Sequence, residues 1–465
     1  MKQLLDVLRR NWLFFLVATL AALALRLFFV YLFQLVEGDS LIYGDIAKNW
    51  LNHGIYGVTD GAIVRPTLIR LPGYPAFLAA VFSIFGREHY TAVMVVQALL
   101  DVNTCLVIAA IALELMNERA AKAAYLLAAI CPFTANYAAT PLTETLTIFC
   151  TAHALYYGIR GVHRLQASEP AVRSWLVAGL WSGAAILLRP DSGLLLAALG
   201  FPLLVLLVRP VQGQRTATAL AGIALLAASL VPLVPWTVRN WRSFHVFQPL
   251  APRYANDPGE FVPQGFNRWT KTWTVDFVSV YEVYWKVDGE PVDFQLLPER
   301  AFDSRQEYEA TQDLIARYNQ QLHVEPDLDA EFAQLAQQRI RHNRFRYYVW
   351  LPTLRIAGMW LRPRTELLPL DARWWELRRH PQESAIALAW AGINLFFLAA
   401  AFRGWRNWPL GLAGVTLVAF VVIRSLFLGT LENPEPRYVL ECFPALLALA
   451  GGAFARPAQA MNHKQ

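Results

Sequence analysis

Long apolar stretches separated by short charged turns dominate the pattern of hydrophobic and polar residues along this chain. A helix needs about 20 predominantly apolar residues to cross the hydrocarbon core of a bilayer. We therefore predict an all-α polytopic membrane protein with about ten crossings. The stretches lie near 12–35, 90–116, 122–139, 143–161, 174–188, 192–208, 217–236, 385–402, 408–430 and 439–455.

Positive charge predicts the direction of the crossings, because cytoplasmic loops of membrane proteins carry an excess of Lys and Arg. With the N-terminus inside, every predicted inner turn is basic. We therefore expect an inner (plasma) membrane protein with both termini in the cytoplasm. The charges between crossings are Arg119, Lys122, Arg160, Arg164, Arg173, Arg209, Arg215, Arg403 and Arg406.

In this topology two long polar stretches face outward. We predict an N-terminal membrane module at 1–236, which contains a first outer loop at 36–89. An extracytoplasmic segment at 237–384, mostly helical or irregular, and C-terminal transmembrane helices at 385–465 follow.

Two apolar runs in these polar stretches are predicted to be interfacial helices. Residues 73–86 are too short to cross comfortably. Residues 347–361 are interrupted by arginines, which favours an amphipathic helix in the interface, although their length alone leaves a crossing open.

Composition excludes several classes of protein. The chain is 56% hydrophobic and 16% charged, whereas soluble domains are about 25% charged. The net charge of +6 comes from arginines scattered at the ends of apolar runs, without the basic cluster of a nucleic-acid site. The four cysteines lie in or beside apolar segments without the spacing of a metal site, which is typical of small buried hydrophobes.

The candidate chemistry lies in charged residues at the predicted outer ends of the crossings. A compact bundle can gather such residues round one outer cavity. Arginines offer forked donors to phosphate oxygens, and a carboxylate can accept the proton of an attacking hydroxyl, so the set suits group transfer from a lipid phosphate. It consists of Asp39, Asp45, Arg70, Glu144, Arg189, Asp191, Arg239, Glu435 and Arg437.

Structural alternatives exist for five of these residues. Asp39 and Asp45 can cap or solvate a short helix, and Glu144 can stabilise a helix N-terminus through the helix dipole. Arg189 and Arg239 directly follow apolar stretches and can anchor the interface or bind lipid headgroups.

Two further groups are predicted to be structural. Trp269 lies in an aromatic stretch that can stack a sugar, but packing is the simpler interpretation. Ionisable residues within apolar stretches usually face the bundle interior, so we expect pairing among them. These are Arg26, Asp101, His153 and Arg424.

Six motifs resemble the signatures of one group of membrane glycosyltransferases. Their order and their predicted side of the membrane are similar to those of the GT-C superfamily, in the protein mannosyltransferase and aminoarabinose transferase branch. The motifs are DSLIYGDIA at 39–47, RLPGYP at 70–75, PLTE at 141–144, LRP at 188–190, PWTVRN at 235–240 and PRY at 436–438.

This resemblance implies a GT-C-like bundle and an inverting glycosyltransferase of the cell envelope. The donor would be a polyprenyl-phosphate hexose or pentose in the membrane lipid. The acceptor would be a hydroxyl of a protein, glycolipid or glycan on the outer face. With the topology, the resemblance assigns catalytic roles to Asp39 and Glu144, donor phosphate binding to Arg239, Arg189, Arg437 and Arg70, and substrate binding to Tyr43 and Asp45. Trp269 is a substrate-binding candidate only because an aromatic face suits a sugar ring.

The chain departs from the branch at two positions. Many relatives carry acids where this chain has Ser40 and Ile69, and both changes remove candidate metal ligands. We therefore assign no metal ligand and leave a divalent cofactor open.

Two other classes of function are kept as alternatives. One is a transporter or flippase of a lipid-linked substrate, although the chain lacks the repeated halves of many transporters. The other is a catalytically inactive, lipid-binding relative. The sugar, the acceptor and the oligomeric state are not specified by the sequence.

Overall fold

The computed structural model describes residues 2–210 and 213–457, and helices account for most of them. The chain divides into two compact units. The first unit comprises 1–258, 395–423 and 440–465, and the second comprises 259–394 and 424–439.

The first unit contains most of the apolar helices and a small hairpin. Its helices are α1 Lys2–Arg10, α2 Trp12–Leu32, α3 Asp39–His53, α4 Gly73–Phe85, α5 Tyr90–Leu115, α6 Glu118–Ala129, α7 Pro132–Tyr137, α8 Glu144–Gln166, α9 Val172–Leu188, α10 Leu194–Val208, α11 Arg215–Leu230 and α12 Leu233–Phe244. The strands are β1 Gly57–Asp60 and β2 Ile63–Pro66.

The second unit is built from shorter helices around an aromatic core. They are α13 Gln264–Lys271, α14 Phe277–Glu282, α15 Arg305–Gln321, α16 Pro326–His342 and α17 Leu351–Leu361. Two long helices, α18 Pro381–Asn407 and α19 Gly411–Leu428, contribute residues to both units, and α20 Phe443–Gly451 belongs to the first.

Among the described residues, six helical segments are long and apolar enough to cross a membrane. A seventh crossing results if α11 and α12, which are bent by 42° relative to each other, form one span. The six are Trp12–Leu32, Tyr90–Leu115, Pro190–Val208, Pro381–Asn407, Gly411–Leu428 and Pro436–Phe454.

Four of the ten predicted crossings are not among these six: the stretch 217–236, which forms the bent pair, and three consecutive stretches before it. The stretch 122–139 is broken where α6 ends at Ala129 and Pro132 starts the short α7, because proline cannot continue the helix hydrogen bonds. Helix α8 is long enough but carries charged and histidine side chains along its length. Helix α9 has 17 residues.

The two predicted interfacial runs form short helices. Helix α4 has 13 residues. The other run is a π-helical segment, Arg346–Trp350, that continues into the 11 residues of α17. Neither is among the candidate spans.

Local sequence explains how the segment after α2 folds. Gly38 adopts a positive φ of 54°, and α3 begins at the next residue, Asp39. After α3, the chain forms an antiparallel hairpin in which Gly57 pairs with Pro66. Gly61 lies in its turn with a φ of 58°, a left-handed conformation that glycine adopts without steric cost.

Candidate active site

An ion pair joins Asp39, at the start of α3, to Arg70 in the segment between β2 and α4. Arg70 Nη2 donates to Asp39 Oδ1 at 2.7 Å, and the two side chains are only 19% and 33% exposed. Tyr43 lies one helical turn after Asp39, and the Arg70 guanidinium is 5.9 Å from its ring centroid. One face of α3 therefore presents a carboxylate and a phenol to the same arginine.

The electrostatics of this pair keep Arg70 charged. Burial opposes the positive charge, but the Asp39 carboxylate, together with Tyr43 and Tyr56, more than offsets it, so the pKa of Arg70 lies above its ordinary value. Arg70 is therefore a permanent cation at neutral pH.

Tyr43 is a partly buried phenol that can donate a hydrogen bond. Its ring packs edge-on against Tyr74, with centroids 5.1 Å apart, and the Tyr74 hydroxyl donates to Gln97 Oε1 at 2.6 Å. Burial, together with the Asp39 carboxylate, raises the pKa of Tyr43 to about 12, although Arg70 partly offsets this rise. The phenol therefore stays protonated at neutral pH, when it can donate a hydrogen bond but cannot act as a base.

A second charged cluster surrounds Arg189, which directly follows α9. Its Nη1 is 3.0 Å from Oε1 of Glu144, the first residue of α8. Its Nε is 3.1 Å from Oε1 of Glu441 and 3.4 Å from Oδ1 of Asp191. The guanidinium of Arg189 therefore faces three carboxylates, an arrangement that holds Glu144 in place and does not favour a phosphate anion.

The two charged clusters act on the same tyrosine. The Glu144 carboxylate raises the pKa of Tyr43 and Arg189 lowers it, as Asp39 and Arg70 do. The start of α4 approaches the end of α9 closely at Gly73, where a Cβ would lie 2.6 Å from the carbonyl oxygen of Leu187. The start of α4 can therefore pack directly on the end of α9.

Arg239, on α12, ties the hairpin to the helices. Its Nη1 donates to the Thr67 carbonyl at 2.7 Å and its Nη2 to the Tyr56 carbonyl at 2.6 Å. The guanidinium also lies 5.1 to 5.2 Å from the ring centroids of Tyr56, Trp236 and Phe244. Much of its hydrogen-bonding capacity is therefore used within the protein.

A cavity of about 520 Å³ lies beside Arg239. Its wall is mostly apolar, and Arg239 brings a positive charge to it. The apolar wall includes Trp50, Ile55, Leu187, Pro232, Pro235 and Trp236.

The remaining predicted site residues lie elsewhere. Asp45 accepts from the backbone N–H and the hydroxyl of Thr59, at 2.6 and 2.8 Å, and so fixes β1 to α3. Trp269 is fully buried in the core of the second unit, where its ring packs against Phe332. That packing leaves no open ring face and gives no support to sugar stacking.

Arg437 also belongs to the second unit. Its Nε is 2.6 Å from Glu435 Oε2, and its guanidinium lies 5.5 Å from the ring centroid of Tyr438. Arg437 therefore pairs with an acid two residues before it in the chain.

Sequence reasoning missed two residues that hold the site, Glu441 and Asp257. Glu441 is an acid inside the predicted crossing at 439–455, and an ionisable group in such a place indicates a specific partner. Asp257 accepts hydrogen bonds from the Thr67 hydroxyl and the Leu68 N–H, both at 2.8 Å. Its distance along the chain left no local signal for that contact.

The described residues around Asp39 supply few ligands for a divalent metal ion. Among residues 2–210 and 213–457, no group of three or more His, Cys, Asp or Glu side chains is arranged to hold one. The neighbour of Asp39 is Ser40, whose buried hydroxyl has no hydrogen-bond partner among these residues.

Comparisons with known proteins agree with this architecture. The family model for dolichyl-phosphate-mannose-protein mannosyltransferase matches residues 65–238, a segment that contains Arg70, Glu144 and Arg189. No curated protein matches the chain in sequence.

Solved structures of two membrane proteins are among those that resemble the chain. The archaeal oligosaccharyltransferase AglB from Archaeoglobus fulgidus, in complex with an inhibitory peptide and a dolichol-phosphate, matches with a TM-score of 0.53 at 14% identity. That match covers 96% of this chain and 50% of AglB, so the chain spans about half the length of this relative. ArnT from Cupriavidus metallidurans bound to undecaprenyl phosphate matches with a TM-score of 0.41 at 15% identity, covering 95% of this chain and 78% of ArnT.

The likeness to AglB extends over nearly the whole chain. The family model covers a segment that contains Arg70, Glu144 and Arg189 and ends just before Arg239. Together with the apolar spans, these matches describe a multi-pass membrane protein. The predicted resemblance to the GT-C superfamily of membrane glycosyltransferases, in its protein mannosyltransferase branch, is confirmed.

Proposed function

We propose that this protein is an inverting glycosyltransferase that moves a sugar from a polyprenyl-phosphate donor to an acceptor hydroxyl on the outer face of the membrane. The observation that carries the proposal is the Asp39–Arg70 ion pair, in which a carboxylate and a permanent cation share a partly enclosed site. The fold supports it, since AglB, which shares this fold, is described in complex with a dolichol-phosphate.

The donor would use the apolar cavity and the arginines. An isoprenoid tail suits the apolar wall of the cavity of about 520 Å³. The phosphate of the donor would lie towards Arg239 and Arg70. Tyr56 links these two arginines, because Arg239 stacks on the Tyr56 ring and the Tyr56 hydroxyl donates to the Arg70 carbonyl at 2.9 Å. Arginines held in place stabilise the charge of the leaving phosphate without moving a proton.

The acceptor would react on the side of Asp39. Its hydroxyl oxygen forms a bond to the anomeric carbon while the bond from that carbon to the phosphate oxygen breaks. The Asp39 carboxylate takes the hydroxyl proton, and polyprenyl phosphate leaves. Tyr43, which stays protonated, and Glu144, held by Arg189, would position the acceptor by hydrogen bonds.

The test is a transfer assay with the purified full chain and radiolabelled polyprenyl-phosphate sugars. A panel of protein, glycolipid and glycan acceptors would be offered in mixed micelles and in liposomes. We expect label on an acceptor and release of polyprenyl phosphate. Movement of the donor across liposomes without transfer would instead indicate a flippase, and binding alone a catalytically inactive lipid-binding protein.

Arg239→Ala is expected to weaken use of the donor. Losing a charge-assisted contact worth roughly 1.5–3 kcal/mol should raise the donor KM about tenfold or more. Arg242→Ala is the matched control, since Arg242 lies on the same helix and is exposed. An unchanged donor KM in Arg239→Ala would remove this residue from the phosphate site.

The proposed site requires the first loop, 36–89, to lie outside the cell and the termini to lie in the cytoplasm. All four native cysteines are buried, so an introduced exposed cysteine should be the main site of maleimide labelling. We expect Ile63→Cys, at the exposed tip of the hairpin, to react with a membrane-impermeant maleimide in intact cells. Glu169→Cys, in a predicted inner turn, should react only after lysis, and the reverse pattern would contradict the topology.

A further inference from the structure

The backbone from Thr67 to Arg70 is held in place by side chains from distant parts of the chain. We infer that Asp257 is a positioning residue, which sets where the Arg70 guanidinium meets the Asp39 carboxylate. Both carboxylate oxygens of Asp257 accept hydrogen bonds from this segment. Oδ2 accepts from the Thr67 hydroxyl and Oδ1 from the Leu68 N–H, each at 2.8 Å.

Each residue of the segment has a backbone group tied to a side chain. The Thr67 carbonyl accepts from Arg239 at 2.7 Å and the Leu68 N–H donates to Asp257. The Ile69 N–H donates to the Thr67 hydroxyl at 3.2 Å, and the Arg70 carbonyl accepts from the Tyr56 hydroxyl. These side-chain contacts satisfy the backbone groups of an irregular segment, as backbone hydrogen bonds between strands satisfy those of a sheet.

Asp257 should contribute most to holding this segment in place. As a carboxylate it makes charge-assisted hydrogen bonds, which are shorter and stronger than neutral ones. It also fixes the Thr67 hydroxyl, which is fully buried and in turn binds the Ile69 N–H. Removing Asp257 leaves the Leu68 N–H and the Thr67 hydroxyl without these partners, so the segment can relax and carry Arg70 away from Asp39.

The first test follows Arg70 itself and is independent of any enzymatic activity. The purified full-length protein is treated with phenylglyoxal, and modification of each arginine is timed by peptide mass spectrometry. Asp257→Ala and Thr67→Val should each speed modification of Arg70 at least about fivefold, because its contact with Asp39 loosens. Asp257→Asn should lie between them and the parent, since its amide oxygen can still accept from the Leu68 N–H.

Asp60→Ala is the matched control. Asp60 also belongs to the first loop, and its ion pair with Arg65 at 2.6 Å is exposed. In Asp60→Ala, phenylglyoxal should modify Arg70 at the same rate as in the parent. Modification of Arg26, which is fully buried, reports unfolding. If Arg26 is modified in Asp257→Ala, that variant is unfolded, and the Arg70 rate in Thr67→Val tests the inference instead. A rate at Arg70 within twofold of the parent in the folded variants would overturn the inference.

The second test is kinetic and rests on the proposed function. A misplacement of about 1 Å near the chemistry can cost about 100-fold, so kcat for sugar transfer should fall tenfold or more in Asp257→Ala. The donor KM should change much less, and Asp257→Asn should recover part of kcat. Faster modification of Arg70 with kcat unchanged would overturn the positioning role. A parent that transfers no sugar would instead contradict the proposed function, and the modification rates would still decide the placement of Arg70.

Discussion

Asp39→Asn is expected to lower sugar transfer by about 100- to 10,000-fold, which is the usual contribution of a general base. The amide cannot take the acceptor proton, but its oxygen can still accept the hydrogen bond from Arg70 Nη2, which is 2.7 Å from the native carboxylate. The variant should therefore insert, fold and bind the donor. The measurement is initial transfer rate per folded molecule, with donor binding followed separately.

Ser40→Ala is the control for this experiment. The Ser40 hydroxyl is next to Asp39, is fully buried and has no hydrogen-bond partner among the described residues. Removing an unsatisfied hydroxyl costs little stability, so transfer should stay near that of the parent. Near-normal turnover in Asp39→Asn, with Ser40→Ala equally active, would reject Asp39 as the base.

The local part of the site was predictable from the sequence. Asp39 and Tyr43 are four residues apart, so they lie on one face of a helix, and the structure places both against Arg70. Glu144 and Arg189 were predicted at the same ends of neighbouring apolar stretches, and they meet at 3.0 Å. Helical periodicity and topology were sufficient to group these residues, because the grouping depends on position along an element or on its end. The individual ion pairs were not predicted.

The sequence was less informative where packing decides. Glu441 and Asp257 reach the site from far along the chain, and a single sequence carries no distance between remote elements. The hairpin that holds Asp45 was missed, although the Asp60-Gly61 step is typical of a tight turn. Trp269 was given a substrate role because aromatic faces suit sugars, whereas the structure uses it as core.

The buried pair Arg26–Asp101 provides the second large effect, on stability. Arg26, on α2, is fully buried, and its Nη2 lies 2.8 Å from Oδ2 of Asp101, on α5. Its remaining donors reach the carbonyls of Ala128 and Ala129 at the end of α6. Pairing was predicted among Arg26, Asp101, His153 and Arg424, and the Arg26–Asp101 pair bears this out. The pair joins three helices.

Asp101→Ala should cost about 3–5 kcal/mol in the free energy of unfolding, because it leaves a buried guanidinium without its counter-charge. Arg26→Met should cost a similar amount. The double variant Arg26→Met/Asp101→Leu should cost clearly less than the sum of the two, since neither charge is then stranded. Unfolding of the purified protein by SDS in mixed micelles gives these free energies.

Arg10→Ala is the control for this series. Arg10 pairs with Glu118 at 2.7 Å on the surface, where its side chain is 66% exposed, and such pairs contribute about 0–1 kcal/mol. Single variants at Arg26 or Asp101 that cost no more than Arg10→Ala would contradict a structural role for the buried pair.

The same series separates the enzyme from a flippase. In a transport pathway, Arg26 and Asp101 would contact the moving substrate, so changing both would abolish movement of the lipid-linked donor whatever the stability. In the structure the pair is enclosed by three helices. We therefore expect the double variant, once folded, to keep its sugar transfer, because the charged groups assigned to chemistry lie around Tyr43 and Arg239 instead.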